Sequence, residues 1–416
     1  MKNFFKKSWW ALKLFFTRIY YSNPSKKLKI IGVTGTNGKT TTATLLYKIS
    51  TELGYKTGLI GTVENIIDLE VLPHDEKSPS TTPDSISLTK LFKKMVDAGC
   101  EYVFMEVSSH ALDQGRVNGI NFTGGIFTNL THDHLDYHKN FQNYFLAKKK
   151  FFEMLPNTAF ALSNMDEEHG NAILDKIKAN KFFYGFEDLS GVGHPTIDFY
   201  GRILNLDFSG LKLDFNGEII SSKLLGKFNA YNLLSVWSAS KLLNFDMTKV
   251  NKIIEKIEPP RGRFEHFLSK DGIIVIIDYA HTPDALEKVL LTIKEIKPDN
   301  GRIISVFGCG GDRDPLKRSK MGKIGASLSD IAIFTSDNPR NENPEKIIDN
   351  MKNDLTHEEN QKVVTIADRR LAIEESVRLA IKGDIILCAG KGHENYQEIK
   401  GEKKHFDDIE EFRKVI

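Results

Sequence analysis

The chain has 416 residues, 40% of them hydrophobic and 27% charged, with a formal net charge of +2; that length exceeds one small core, and the composition excludes a disordered or low-complexity protein. The first 29 residues carry eight Lys or Arg and no acid, which leaves −6 for the remainder and argues against a general nucleic-acid partner. Cys100, Cys309 and Cys388 lie far apart without metal-ligand spacing, so they read as reduced thiols of a cytoplasmic protein rather than a disulfide framework.

Residues 1–27 form a basic, aromatic N-terminal segment. Phe5, Trp9, Leu12, Phe16 and Ile19 share one face at helical spacing, which predicts an amphipathic helix over 1–22. Lys13 and Arg18 interrupt the apolar run and no small-residue cleavage site follows, so this is neither a secretory signal nor a bilayer span. Such a helix docks on its own domain or contacts a membrane surface or protein partner; docking is the commoner fate.

From 28 to 258, apolar runs of strand length alternate with helical patterns at 30–33, 39–53, 57–63, 85–98, 101–107, 126–129 and 141–153, which predicts an α/β domain with a mostly parallel sheet. Between the first strand and first helix stands Gly35-Thr36-Asn37-Gly38-Lys39-Thr40. Small residues let backbone N–H groups crowd around phosphate, the helix start adds positive dipole, Lys39 supplies a cation and Thr40 a hydroxyl for Mg²⁺. The loop is shorter than G-x-x-x-x-G-K-[ST], with Val33 where the first glycine would stand. Residues 197–225, split by Gly210 and Asn216-Gly217, read as hairpins appended to the sheet. A helical pattern returns over 229–257 and breaks at Pro259-Pro260.

A second alternating series fills 259–416, at 273–277, 283–296, 302–306, 316–328, 331–334, 344–355, 362–366, 368–381 and 384–388, and predicts a separate Rossmann-like domain.

The short loop is followed in order by Glu106-Val107-Ser108-Ser109-His110, Thr128 to Asp136, Ala147-Lys148, Gly226-Lys227-Phe228-Asn229 and Asp278-Tyr279-Ala280-His281. Together these resemble the Mur ligase family. Gly308 to Asp314, Asp337-Asn338-Pro339-Arg340 and Gly390-Lys391-Gly392-His393-Glu394 are similar to the branch that adds the third residue of the peptidoglycan stem. The resemblance implies an ATP-dependent amide ligase acting through an acyl phosphate. Such chemistry needs divalent metal, cations for the moving phosphoryl group and an amine pocket. Thr40 and Glu106 are candidates for one Mg²⁺, and His134 with Lys148, the latter as the carbamate the family carries, for a second. From charge alone, Lys148 in the run Lys148-Lys149-Lys150 would instead be a solvated lysine.

Gly35, Thr36, Asn37, Gly38, Lys39, Thr40, Thr41, Asn229, Arg263, Asp278 and His281 make up the ATP-binding set that the resemblance implies, the last three from a C-terminal domain that closes on the nucleotide. Ser80, Thr81, Thr82, Ser108, Gln114 and Arg116 match acceptor-binding positions, although Thr-Thr-Pro-Asp also reads as a helix N-cap. Arg313, Asp337, Asn338, Arg340, Gly390 and Glu394 match the pocket for the added diamino acid. Asp-Asn-Pro-Arg resembles the meso-diaminopimelate form, and Arg340 offers a planar fork to that substrate's distal carboxylate, where L-lysine would bring only an ammonium. The expected reaction joins meso-diaminopimelate to the D-glutamate of UDP-N-acetylmuramoyl-L-alanyl-D-glutamate.

The family's usual uridine-binding domain has no counterpart in the 30 residues before the loop, so a partner supplying that function, or another muramoyl acceptor, is an open expectation. Two alternatives stand beside this reading. One is an ATP-dependent ligase for folate polyglutamate or an amino-acid polymer; the other is a nucleotide-binding assembly subunit attached through residues 1–22.

Overall fold

The computed structural model describes residues 17, 20–72, 80–131, 133–186 and 196–416. The predicted N-terminal helix and His132 therefore lie largely or wholly outside the described residues. Two compact units account for the chain: one comprises residues up to Asn205 with Leu211–Lys223 and Phe228–Ile257, the other Leu206–Gly210, Leu224–Lys227 and Glu258–Ile416.

The first unit is built on an eleven-stranded sheet. Its central strands β1 (Lys29–Thr34), β2 (Thr57–Ile60), β5 (Tyr102–Glu106), β6 (Phe122–Phe127), β7 (Phe160–Asn164) and β8 (Asn180–Gly185) are parallel. Short antiparallel strands β3 (Asn65–Ile67) and β4 (Glu70–Val71) extend one edge. At the other edge β9 (Phe199–Asp207), β10 (Gly210–Phe215) and β11 (Glu218–Ser222) carry the hairpins expected over 197–225, the strand order being β11-β10-β9-β8-β7-β6-β1-β5-β2-β3-β4. β1 and β5 are almost wholly buried, as parallel strands covered by helices on both faces must be. Those helices include α1 (Lys39–Glu52), α2 (Ser85–Asp97), α3 (Phe141–Glu153) and α4 (Lys227–Leu242).

One local feature sets the position of α3. Gly32 of β1 and Gly125 of β6 are register partners, and a Cβ on either would strike the Phe151 ring at 2.5 or 2.8 Å. The bare backbone patch admits that ring and brings α3 close to the sheet.

The second unit holds a six-stranded sheet ordered β12 (Glu265–Leu268), β13 (Ile274–Asp278), β17 (Ile385–Ala389), β14 (Ile303–Phe307), β15 (Ile331–Phe334), β16 (Val363–Thr365). All its pairings are parallel except that of β12 with β13. Helices α5 (Pro283–Ile296), α6 (Leu316–Leu328), α7 (Pro344–Lys352), α8 (Arg369–Leu379) and α9 (Asp408–Val415) flank it, and a hairpin of β18 (Tyr396–Ile399) and β19 (Glu402–His405) projects separately. Arg369 and Asp408 form a fully buried ion pair, and Arg369 Nη2 also donates to the carbonyl of Ala389 at the end of β17. That network ties α8 and α9 to the strand end from which the Gly390 loop departs.

Candidate active site

The segment Gly35–Gly38 connects β1 to α1. Gly35 has φ 155° and Gly38 φ 84°. A Cβ at Gly35 would lie 1.9 Å from Thr128 Oγ1, and at Gly38 2.4 Å from Asn232 Oδ1, so both positions admit only glycine. Asn37 N donates to Asn129 Oδ1 at 2.9 Å, while Asn37 O accepts from Thr128 Oγ1 at 2.6 Å. Thr36 Oγ1 accepts from Thr131 N and lies 3.0 Å from the Tyr144 hydroxyl. Lys39 Nζ folds back over the loop, donating to Gly35 O at 2.9 Å and Thr36 O at 2.7 Å. Thr41 is buried in the first turn, and Asn229 is buried with its Oδ1 accepting from Asn232 Nδ2 at 3.1 Å.

Glu106 ends β5 with 1% exposure. Its Oε1 accepts from Thr62 N at 2.7 Å, and Oε2 accepts from the Thr40 and Thr62 hydroxyls, both at 3.0 Å. A Cβ at Gly61 would come 2.9 Å from Oε1, so the absent side chain leaves the carboxylate its room. Hydroxyl and carboxylate oxygens are the donors Mg²⁺ prefers, and the pair Thr40 and Glu106 fits such an ion.

The expected acceptor residues form a chain leading from this carboxylate. Thr81 Oγ1 lies 3.0 Å from Thr62 Oγ1, and Thr82 Oγ1 donates to Glu106 O and accepts from Ser108 N. Arg116 Nη1 donates to Thr82 O at 2.8 Å, while its Nε and Nη2 grip Gln114 Oε1. Ser80 immediately precedes this group. Asp84 caps α2 through Ile86 N and Ser87 N, so the capping role expected of Thr-Thr-Pro-Asp coexists with the cluster.

Lys148 is 1% exposed, not solvated as its run of lysines suggests. Its Nζ donates to Gly35 O at 2.7 Å and sits 4.6 Å from the Tyr144 ring centre. Burial, reinforced by the nearby Lys39 cation and only partly offset by Asp133, pushes its pKa well below the ordinary lysine value. A neutral amine is the form that adds CO₂, so the position fits a carbamate. His134 adopts φ 53° at the start of a short helical turn, half exposed, with Nε2 3.4 Å from Asp133 Oδ2. His110 packs 4.9 Å from the His134 ring, and His138 is buried against Ser109 Oγ at 3.0 Å. Among the described residues no group of three or more His, Cys, Asp or Glu converges as a ready metal set. At the second metal position expected from the resemblance, Lys148 would contribute as a carbamate anion.

In the second unit, Asp278 ends β13 and is buried. Its Oδ2 accepts from Phe264 N and Oδ1 from Ala280 N, both at 2.8 Å; burial raises its pKa to about 6 against the lowering effect of Arg263. Arg263 lies 4.9 Å over the Tyr279 ring, and His281 Nδ1 is 2.8 Å from Tyr279 O. Thr282 is the N-cap of α5.

Two segments meet at the expected amino-acid pocket. Asn338 Nδ2 donates to Glu394 Oε2 at 2.8 Å, and Asn338 Oδ1 accepts from Glu398 N at 2.9 Å. Arg340, at φ 50°, donates from Nη1 to Gly311 O at 2.8 Å and sets Nε 3.4 Å from Glu398 Oε2. These contacts tie the Gly311 loop and Glu398 to the Asn338-Pro339-Arg340 segment. Arg313 is exposed on the adjoining loop. Gly390, at φ 111°, has its Cβ position 3.5 Å from Asp337 Oδ2. Burial first, and then the neighbouring Asp337 carboxylate, raise the pKa of Glu394. Thr62, Asn129, Tyr144 and Asn232 in the first unit, and Lys391 and Glu398 in the second, are site residues absent from the sequence-derived set.

Residues 33–240 match the Mur ligase middle domain, and residues 262–392 the Mur ligase glutamate ligase domain. The chain is 50% identical over 406 residues to the UDP-N-acetylmuramoyl-L-alanyl-D-glutamate–2,6-diaminopimelate ligase of Parabacteroides distasonis, covering 98% of this chain and 81% of the relative. The enzyme of that name from Clostridium botulinum is 43% identical, with 95% and 80% covered. A solved structure of a ligase of the same name superposes with a TM-score of 0.65 at 34% identity, over 94% of this chain and 78% of that one. A Mycobacterium tuberculosis folylpolyglutamate synthase complexed with ADP and AMPPCP, 18% identical, shares the fold with a TM-score of 0.70 over 91% and 92%.

Proposed function

The chain belongs to the Mur ligase family and is an ATP-dependent amide ligase, and we propose that it joins meso-2,6-diaminopimelate to the D-glutamate of UDP-N-acetylmuramoyl-L-alanyl-D-glutamate. The observation that carries this reading is the pocket in which Asn338 is bonded to Glu394 while Arg340, two residues on, lies against Glu398. A distal carbon bearing both an ammonium and a carboxylate calls for one anion and one planar cation. L-Lysine offers nothing to the cation.

The loop N–H groups and Lys39 hold the ATP phosphates at the start of α1, with Lys39 neutralising charge on the transferring group. Mg²⁺, held by Thr40 and Glu106 and, at a second position, by His134 with carbamylated Lys148, would supply further charge neutralisation when bound. The carbamate forms when the neutral Lys148 amine adds to CO₂ and releases a proton. The γ-phosphoryl group passes to the D-glutamate carboxylate oxygen and ADP leaves. The amine nitrogen then attacks the acyl carbon, the C–N bond forms, the C–O bond to phosphate breaks, and the nitrogen gives up a proton. Thr81, Thr82, Ser108, Gln114 and Arg116 orient the acceptor; Arg263, Asp278 and His281 serve the nucleotide.

The test is ADP release by the purified protein with Mg²⁺ and the UDP-muramoyl dipeptide, comparing meso-diaminopimelate, L-lysine and L-glutamate, with products identified by mass. ADP release coupled to the diaminopimelate product alone is expected. Equal coupling to L-lysine, or release without product, overturns the assignment.

A further inference from the structure

Lys391 is 0% exposed. Its Nζ lies 3.5 Å from Glu394 Oε2, 3.4 Å from Asn338 Oδ1 and 3.9 Å from Asp337 Oδ1, and donates to Tyr396 O. The side-chain acceptors among these stand on the two segments that build the amino-acid pocket, and the Tyr396 carbonyl follows closely after one of them. Asp337 and Glu394 are two of that pocket's three carboxylates, and two carboxylates in a desolvated site cannot both stay ionised without a cation between them. Asn338 cannot supply that charge, and Arg340 is turned toward Gly311 and Glu398.

We propose that Lys391 is a positioning residue for amino-acid selection: its ammonium keeps Glu394 ionised and fixed against Asn338, so that Glu394 is ready to receive the distal ammonium of the incoming diamino acid. This rests on the diaminopimelate reading above. Among charged groups at the pocket, Lys391, Arg340 and Arg313 stand against Asp337, Glu394 and Glu398, a balance suited to a zwitterionic arm and poorly matched to one carrying a lone charge. The opposing influence of Lys391 on the raised Glu394 carboxyl has the sign this role requires. Without Lys391, the Glu394 carboxyl would be raised further and the pocket's anion weakened.

The experiment compares wild type, Lys391→Met, Lys391→Arg, Glu394→Gln and the double variant Lys391→Met/Glu394→Gln in steady-state kinetics. Failure of wild type to couple ADP release to the diaminopimelate product overturns the ligase reading itself, before any variant is assayed. Lys391→Met should raise KM for meso-diaminopimelate by about tenfold or more, leave KM for ATP within about twofold, and move the acid limb of kcat/KM for the amino acid to higher pH. Lys391→Arg should restore the wild-type pH profile. The double variant lacks the carboxylate repulsion and so retains its fold even where the single variant does not; its KM should match that of Glu394→Gln within about twofold, because Lys391 acts through Glu394. An unmoved pH profile in Lys391→Met, a parallel rise in KM for ATP, or a double variant about tenfold worse than Glu394→Gln overturns the proposal.

Discussion

Lys148 Nζ lies 2.7 Å from the carbonyl oxygen of Gly35, joining helix α3 directly to the first residue of the phosphate loop. The contact makes the loop geometry and the buried amine one unit. It also places a group that is costly as a cation beside the Lys39 cation, which is tolerable only when the amine is neutral or becomes an anion.

That cost gives the first prediction. A buried amine with a depressed pKa binds fewer protons folded than unfolded between its folded pKa and the ordinary value near 10.5, so it makes stability rise with pH across that window. Lys148→Met removes this dependence and the desolvation cost together. Tm at neutral pH should be unchanged or higher by up to about 5 °C, while kcat falls by about 10²-fold or more. Parallel calorimetry and kinetics check it; a Tm loss of similar size contradicts it.

The second concerns the glycine patch. Gly125→Ala drives a methyl into the Phe151 ring, displacing α3 and with it Lys148. It should cost about 1–3 kcal/mol by denaturant unfolding and lower kcat. Adding Phe151→Leu, which opens the space, should recover part of both losses relative to Gly125→Ala alone; further loss in the double variant would show that the ring does not set the helix position.

Asp278 supplies a pH prediction. Its folded pKa of about 6 exceeds the ordinary 3.8, so the folded state binds more protons and the carboxyl makes stability fall as pH rises from about 4 to about 6. Asp278→Asn cannot titrate. The stability advantage of wild type over Asp278→Asn should therefore shrink across that range and level off on either side; a constant difference from pH 4 to 7 would place the carboxyl's titration elsewhere.

Arg340 is the specificity prediction. Lys cannot reproduce a bidentate fork, so Arg340→Lys should raise KM for meso-diaminopimelate by about 10–100-fold, the loss of a charge-assisted pair, with KM for ATP little changed. Competition assays with both amino acids, read by product mass, should show the preference over L-lysine shrinking. An unaltered preference would assign Arg340 to loop structure alone, through Gly311.

Much of the architecture was legible because parallel strands buried on both faces leave long apolar runs, as in Ile30 to Val33 and Ile385 to Ala389. β7, β8 and β12 were not read. β8 mixes Asn180 and Lys181 with aromatics, and β12 is an antiparallel edge strand with little burial, so periodicity alone carries a weak signal; for β7 the turn at Pro156-Asn157 before Phe160-Ala161-Leu162 was the available cue. Lys148 shows where charge patterning fails: its neighbours Lys149 and Lys150 point elsewhere on α3, while the Gly32 and Gly125 backbone patch that seats Phe151 holds α3 close to the sheet and Lys148 against the loop. Thr62 and Asn232 sit in segments without motif character and enter the site through tertiary contacts. Lys391 lies inside a quoted motif, but a lysine between two glycines reads as an exposed loop cation unless its burial is known.

In the proposed reaction this chain activates the D-glutamate carboxylate as an acyl phosphate and gives it to meso-diaminopimelate. The direct measurement uses a UDP-muramoyl dipeptide acceptor carrying a heavy-oxygen label in the D-glutamate side-chain carboxylate, with ATP, Mg²⁺ and meso-diaminopimelate. One labelled oxygen is expected in each released phosphate for every diaminopimelate adduct formed. Unlabelled phosphate, or labelled phosphate with no adduct, would contradict it.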